Sequence, residues 1–396
     1  MCSIISNMII VSKTFRTCSS STFLRCARSF SLVSNIHCRI LKRLNASFDT
    51  CKSIVNGKMS GDFVHKGLSH YKAAILKEYG EDLELVELSR PSKLKESQIL
   101  IKVHHCAVNV ADTLICSGKY DQKPNLPFVP GYEFSGEVLQ VGSNVKNFYV
   151  GDKVIGLNKD NFSAMAEECV SEARDLWKIP QDVAFDSAAA LVDSYATVLI
   201  AARRANLCEE DEVLVTAAAG GLGLAAVDLA ANLFKAKVIG ACDTEEKASI
   251  LREKGAFSTI NYTKKEIAKS VMKETNNRGV KIVFDAVGGD VFEDCLQSIA
   301  AEGCIVVLGF SSRKIPQILT SQLLPKSCAL IGVSLTHYQK MINETYRSTV
   351  QEIIDMYLED FIDPHIAEHF KLKDVNDAIK HVEERKSAGK VILDIV

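Results

Sequence analysis

The run Val213-Leu214-Val215-Thr216, the turn Ala218-Ala219-Gly220-Gly221-Leu222-Gly223 and the apolar stretch Lys237-Val238-Ile239-Gly240-Ala241 follow one another, and no other feature restricts the chain as much. A short apolar strand, a glycine turn, a helix-compatible segment over 222–234 and a second strand make one βαβ unit. The turn fits A-x-G-x-x-G, a variant of the dinucleotide fingerprint with Ala218 in the first position. Gly220 would let the backbone approach a pyrophosphate, and Gly223 would let helix and sheet pack closely, with the helix N-terminus turned to the phosphates. A glycine-rich turn in a sheet protein without nucleotide would share the letters. The strand before it, the helix after it and the second strand ending at Asp243 favour the nucleotide.

The alternation continues through 281–285 and 304–308, each preceded by a helix-compatible segment, which implies a doubly wound parallel sheet of the α/β class. The chain from 71 to 179 has a different texture. Its segments 98–103 and 136–141 read as strands with Gly and Pro punctuation, and Gly151-Asp152 reads as a turn. Residues 186–206 are Ala-rich with helical spacing, and the tail offers helices over 350–358 and 375–384 and a last strand over 391–396. A chain of 396 residues, 47% hydrophobic, is long enough for two cores.

Charge is distributed unevenly. Residues 1–48 hold Lys13, Arg16, Arg25, Arg28, Arg39, Lys42 and Arg43 with no Asp or Glu, and are rich in Ser. That is the composition of a mitochondrial transit peptide, so 1–58 is expected to be a targeting segment and the protein to reside in the mitochondrial matrix. A start at Met59 would leave it in the cytoplasm. The longest apolar run there, 8–11, is too short for a membrane span. Setting those seven cations aside from the 47 leaves 40 basic against 49 acidic residues, so the body offers no electrostatic footprint for nucleic acid. The 13 cysteines form no C-x-x-C pair, which points to free, mostly buried thiols in a reducing compartment.

Several further runs occur in a telling order: Ala107-Val108-Asn109-Val110-Ala111-Asp112-Thr113, Ser117-Gly118-Lys119-Tyr120, Pro130-Gly131-Tyr132-Glu133-Phe134-Ser135-Gly136-Glu137-Val138, Gly151-Asp152-Lys153-Val154 and, near the end, Arg385-Lys386-Ser387-Ala388-Gly389-Lys390-Val391-Ile392-Leu393. From Tyr71 onward this order resembles the zinc-independent quinone oxidoreductase branch of the medium-chain dehydrogenase/reductase superfamily. The resemblance implies a GroES-like β-rich catalytic domain over 70–190 and 331–396, a Rossmann cofactor-binding domain over 191–330, and a homodimer joined through the Rossmann sheet. It also implies an NADPH-dependent reductase of small-molecule quinones or α,β-unsaturated carbonyls, working by hydride transfer without metal. A mitochondrial 2-enoyl thioester reductase and a non-catalytic NADPH-binding protein are the alternatives.

The same resemblance places the site residues. Where zinc enzymes of the superfamily hold their metal with Cys, His and Cys, this chain resembles them with Asn109, Tyr132 and Asp193, so no soft ligand remains and no metal is expected. His104-His105-Cys106 suggests no metal site either, because adjacent strand residues point to opposite faces. Asn109, Asp112 and Tyr120 match residues lining the substrate side of the nicotinamide; a loop cap for the first two and cleft packing for the third are the plainer readings. Leu114 replaces an aromatic residue found in several quinone reductases. Asp193 would disfavour anionic substrates, or serve as a helix cap.

On the cofactor side, Thr197 resembles the residue near the nicotinamide, and Gly309-Phe310-Ser311 should meet the nicotinamide end. Arg385 either approaches the cofactor phosphates or caps the last helix. Beyond the second strand, an acid such as Asp243 would favour NAD(H) and a cation would favour NADP(H). If Asp243 stands one residue past the ribose contact, Lys247 and Tyr262 face a 2′-phosphate, so NADP(H) is expected, with NAD(H) the alternative.

Overall fold

The computed structural model describes residues 70–120 and 123–396; the expected targeting segment lies outside them. A hairpin, β1 (His70–Ile75) and β2 (Glu84–Ser89), precedes the long strand β3 (Gln98–Val108) and the short helix α1 (Val110–Cys116). Then come β4 (Glu133–Val141), β5 (Lys153–Leu157), β6 (Glu168–Glu172) and β7 (Leu176–Lys178). Helix α2 (Phe185–Arg204) leads into β8 (Glu212–Val215), α3 (Gly221–Asp228), β9 (Lys237–Cys242), α4 (Glu245–Glu253), β10 (Ser258–Asn261), α5 (Ile267–Glu274), β11 (Val280–Asp285), α6 (Val291–Ser298), β12 (Ile299–Val307) and β13 (Ala329–Gly332). The chain closes with α7 (Leu335–Met341), α8 (Asn343–Leu358), β14 (Ile366–Lys371), α9 (Val375–Glu383) and β15 (Lys390–Asp394).

Six strands form one wholly parallel sheet in the order β10-β9-β8-β11-β12-β13. Its inner strands β8, β9 and β11 are mostly apolar and buried along both faces, as strands covered by helices on both sides are. The order reverses between β8 and β11, and a doubly wound sheet opens its ligand crevice at the carboxyl ends of the strands flanking that reversal. The last strand, β13, crosses the expected domain boundary at 330. A second, mostly antiparallel sheet runs β14-β15-β3-β4-β5-β7, with β6 also on β3. Its strands come from both ends of the described chain, since β15 pairs antiparallel with β3.

Helix α2 joins the two sheets. Its alanines bring it close to the second sheet, where Ala189 and Ala190 pack on Ala107 and Ile392. Its larger side chains, among them Leu191, Val198 and Leu199, enter the core shared with α3, α8 and the parallel sheet. Among the described residues α2 alone has the length and apolarity of a membrane span, and 78% of that stretch is buried, so core packing accounts for its composition. Buried Asp228 adds a polar tie: it accepts from Tyr195 of α2 (2.6 Å), from Asn232 (2.8 Å) and from the backbone of Asp363 (3.1 Å). A buried carboxylate saturated in this way fixes register where apolar contacts alone would allow sliding.

Two local features depart from simple periodicity. The helix expected to run to 234 changes after Asp228 to a single π turn, Leu229–Leu233. In β3 the pairing with β4 slips between Val103 and His105. Such a bulge re-aims side chains, and the His104 ring stacks on Phe185 at the start of α2, with centroids 4.1 Å apart and planes at 11°.

Candidate active site

The turn between β8 and α3 has the geometry its glycines foretell. Gly220 is the N-cap of α3 in an extended conformation. A Cβ on Gly223 would lie 2.3 Å from the Ala217 carbonyl oxygen and 2.6 Å from the Ala218 Cα, so only glycine lets this helix seat against the turn. The backbone of Ala218 is held by the Ala241 carbonyl (2.9 Å) at the end of β9. Thr216 spans the switch point, donating to Asp285 Oδ1 (2.7 Å) and accepting from the Ala286 backbone (3.1 Å). Asp285 in turn accepts from Val287 (3.0 Å) and Gly288 (3.1 Å) and fixes the loop after β11.

An open-mouthed hollow lies at these strand ends, lined by Thr216, Ala217, Ala241, Tyr262, Ser311 and Arg385 among others. A neighbouring hollow shares Ser311 and Arg385 and is also lined by Val110, Thr113 and Leu114 of α1. The two hollows share Ser311 and Arg385, so Ser311 has open space on both sides. Its backbone is set by Ala286 (3.0 Å), while Phe310 packs against Gly288 and Gly309 approaches Ala286.

Arg385, in the left-handed region (φ 57°), donates to the Ser311 carbonyl (2.8 Å) instead of standing free. Lys247 is likewise engaged: its ammonium lies 2.9 Å from Asp243 Oδ1 and 2.8 Å from the Arg385 carbonyl oxygen. The expected contrast between an NAD-selecting acid and a phosphate-selecting cation therefore becomes an ion pair between the two. Of the three charged groups that meet here, Asp243 is the carboxylate and Lys247 and Arg385 are the cations. Tyr262 lies close to both Asp243 and Arg385, and burial, followed by the charge of Asp243, raises its phenol above the ordinary value.

The opposite wall of the site is a buried ionic network. Lys390, at the start of β15, donates to Asn109 Oδ1 and to Glu133 Oε2, each at 2.6 Å. Asn109 Nδ2 also donates to Glu133 Oε2 (3.0 Å), and the backbone of Asp193 donates to Glu133 Oε1 (2.8 Å). Glu133 is fully buried and the Lys390 side chain 5% exposed. The stem of Lys390 lies where a Cβ on Gly221 would fall, 2.8 Å from its Cδ, and Gly389 bridges to Gly220. The network thus rests on the back of the glycine turn.

A second pair adjoins it. Lys159 sits 2.5 Å from Asp193 Oδ1 and 4.0 Å from the centre of the Tyr132 ring, while the Tyr132 hydroxyl donates to Asp193 Oδ2 (3.0 Å). Burial opposes the charge on Asp193, but Lys159 and Lys390 outweigh it and hold the carboxyl below its usual range. Burial likewise works against Lys159, and Asp193 outweighs it, so the ammonium stays above its ordinary value. Burial pushes the Tyr132 phenol well up.

Of the expected catalytic residues, Asn109 is therefore locked by Lys390 and Glu133. Asp112 is fully buried, and its Oδ2 accepts from the Asn109 backbone (2.8 Å) as a helix-capping carboxylate does. Burial pushes it up to about 7. Tyr120 is half-buried against the core and close enough to Lys159 to favour its charge. Thr197 donates to the Asp193 carbonyl (2.7 Å) within α2. Glu133, Lys159 and Lys390 went unassigned in the sequence. For Glu133 and Lys390 a local signal exists: a charged residue opens each of the apolar strands β4 and β15, and a buried charge demands a partner.

The three positions that resemble zinc-ligand positions do not fit that metal. Asn109 offers an amide, Tyr132 a phenol held protonated, and Asp193 a carboxylate already engaged by Lys159 and Tyr132. A dication added there would meet two ammonium groups. Elsewhere, His105 meets His369 and Asp394 on neighbouring strands, whereas His104 does not join them.

A parallel sheet in the 3-2-1-4-5-6 order, a glycine turn at its switch point and a β-rich partner domain closing over the strand ends define a two-domain dinucleotide-dependent oxidoreductase. Model matches agree: the alcohol dehydrogenase GroES-like domain matches residues 95–184 and the zinc-binding dehydrogenase domain residues 221–355. Quinone oxidoreductase-like protein 2 of Rattus norvegicus is 41% identical over 327 residues, 82% of this chain and 93% of that protein. The Nematostella vectensis homolog is 44% identical over 330 residues, 83% and 90% of the two chains. The structure of Escherichia coli quinone oxidoreductase complexed with NADPH superposes with a TM-score of 0.75 at 28% identity, over 82% of this chain and 99% of that one. The chain belongs to the quinone oxidoreductase family of medium-chain dehydrogenases/reductases.

Proposed function

We propose that the protein reduces quinones or α,β-unsaturated carbonyls with NADPH, without a catalytic metal. The observation that carries this reading is the pairing of the switch-point cleft with a wall whose zinc-type positions are filled by the Lys390–Glu133–Asn109 and Lys159–Asp193–Tyr132 contacts. The residues fit the coenzyme: Gly220, Gly221, Leu222 and the α3 N-terminus would hold the pyrophosphate, with Tyr262, Lys247 and Arg385 at the 2′-phosphate end and Gly309, Phe310, Ser311 and Thr197 toward the nicotinamide. When bound, NADPH supplies the hydride. Lys247 and Arg385 beside Tyr262 support NADPH over NADH, as two cations within reach of a 2′-phosphate. The NADPH complex of the Escherichia coli relative supports the same choice.

The chain's own contribution is electrostatic and positional. Lys159, kept charged, directs a positive field at the substrate side, and Asp112 orients the backbone of Asn109. An amide carries two N–H bonds and the contacts above use one of them, so Asn109 has a donor in hand for a substrate oxygen. Conjugated carbonyls suit such donors because their developing charge is spread over several atoms. Full-length protein should oxidise NADPH when given a panel of quinones, enones and enoyl thioesters; no turnover with any member would defeat the reading, and turnover confined to enoyl thioesters would move it to that class.

The proposal extends to assembly and location. A homodimer through the outer edge of β13 is supported by the absence, among the described residues, of a strand on that side and by exposed Leu319 and Leu324 in the preceding segment. Residence in the mitochondrial matrix is supported by the acid-free, Arg-rich composition of residues 1–48.

A further inference from the structure

One face of the second sheet gathers three metal-type ligands unrelated to the cleft. β15 lies between β3 and β14, with Asp394 opposite His105 and His369 opposite Ile392. Ile392 and Asp394 are two residues apart, so all three polar side chains fall on one face. His369 Nδ1 is 2.7 Å from Asp394 Oδ1, and His105 Nε2 is 3.3 Å from the same oxygen. One ligand atom from each residue lies within 4.8 Å of the others. His105 is 22% exposed and the other two 41%, which leaves an entry path and room for water on the open coordination positions.

We propose that His105, His369 and Asp394 bind one divalent transition-metal ion of the imidazole-preferring class, zinc foremost, and that the ion clamps together the two chain segments that build this sheet. Two ring nitrogens converging on one carboxylate oxygen present the donor set of a zinc site, in which the ion replaces the hydrogen-bonding protons. Tetrahedral ligands at 2.0–2.1 Å from a zinc ion stand roughly 3.3 Å apart, which small side-chain rotations would reach from the present spread. β3 precedes the whole parallel-sheet domain and β14 and β15 follow it, so a bound ion links chain segments that are remote in sequence. His105 Nδ1 is buried without a hydrogen-bond partner. A ligating histidine whose outer nitrogen lacks an acceptor loses about 10–100-fold in affinity, so this site binds more weakly than one with a satisfied outer shell.

Zinc titration of the full-length protein against a chromogenic chelator tests this, with the double variant His369→Ala/Asp394→Asn beside it. The wild type should take up one more equivalent than the variant and gain melting temperature with zinc, while the variant gains none and keeps its NADPH affinity. Equal stoichiometry in the two would overturn the proposal. Should the variant not fold, cobalt(II) on the wild type decides. A weak nitrogen–oxygen ligand-field spectrum supports the site, and an intense thiolate-to-cobalt band as the only signal places the ion on cysteine and overturns it.

Discussion

Replacing Lys390 by Met removes the cation from the buried network while keeping its stem against Gly221. At the observed 2.6 Å separation an effective dielectric of about 20 gives a gross attraction of ~6 kcal/mol between Lys390 and Glu133. Much of that offsets desolvation, and stripping one partner from a buried pair costs about 3–5 kcal/mol because the other charge stays behind. With an unfolding entropy of ~2 cal/mol/K per residue over roughly 330 residues, Lys390→Met should lower the melting temperature by about 4–7 °C. The double variant Glu133→Gln/Lys390→Met carries no orphaned charge and should recover at least half of that loss. Thermal unfolding of the four proteins, with NADPH affinity measured alongside, makes the cycle. A Lys390→Met protein melting within about 1 °C of wild type, or a double variant less stable than either single, would refute the reasoning.

Other consequences are equally open to measurement. Burial raises Asp112 to about 7, against ~3.9 in an unfolded chain; between those values the native state keeps a proton the unfolded state has released, so its stability falls as pH rises. The difference in unfolding free energy between wild type and Asp112→Asn should therefore decline by about 2–3 kcal/mol from pH 5 to pH 8, and a flat difference in denaturant titrations would contradict it. Gly223→Ala places a methyl carbon against the Ala217 and Ala218 backbone and should weaken NADPH at least tenfold by calorimetry, whereas unchanged affinity would mean that the helix does not need its close seat. Lys247→Ala should raise the NADPH dissociation constant by roughly tenfold, the cost of one charge-assisted contact, and leave NADH within about twofold.

What the sequence disclosed and what it concealed divide along sequence distance. The parallel sheet was legible because its signals are local: each strand is a short apolar run, each helix follows within a few residues, and the glycine turn marks their junction. Residues 218–223 were legible for the same reason. The ionic wall was not, because Glu133 and Lys390 are 257 positions apart and meet only after β15 has paired with β3. Lys159, in the loop after β5, gave no periodic signal at all. Adjacency speaks only to whether His104 and His105 can share an ion, and no reading of neighbouring residues could bring His369 and Asp394 to His105 from other strands. In sequence Lys247 and Asp243 read as competitors; four residues apart at a strand–helix junction, they pair instead.

The account rests on a pyridine nucleotide lying across the Gly220 turn at the β8–β11 switch point. Calorimetric titration of the full-length protein with NADPH and with NADH tests it most directly. One NADPH per chain, bound at least tenfold more tightly than NADH, is the expected result; no heat of binding from either coenzyme would contradict it.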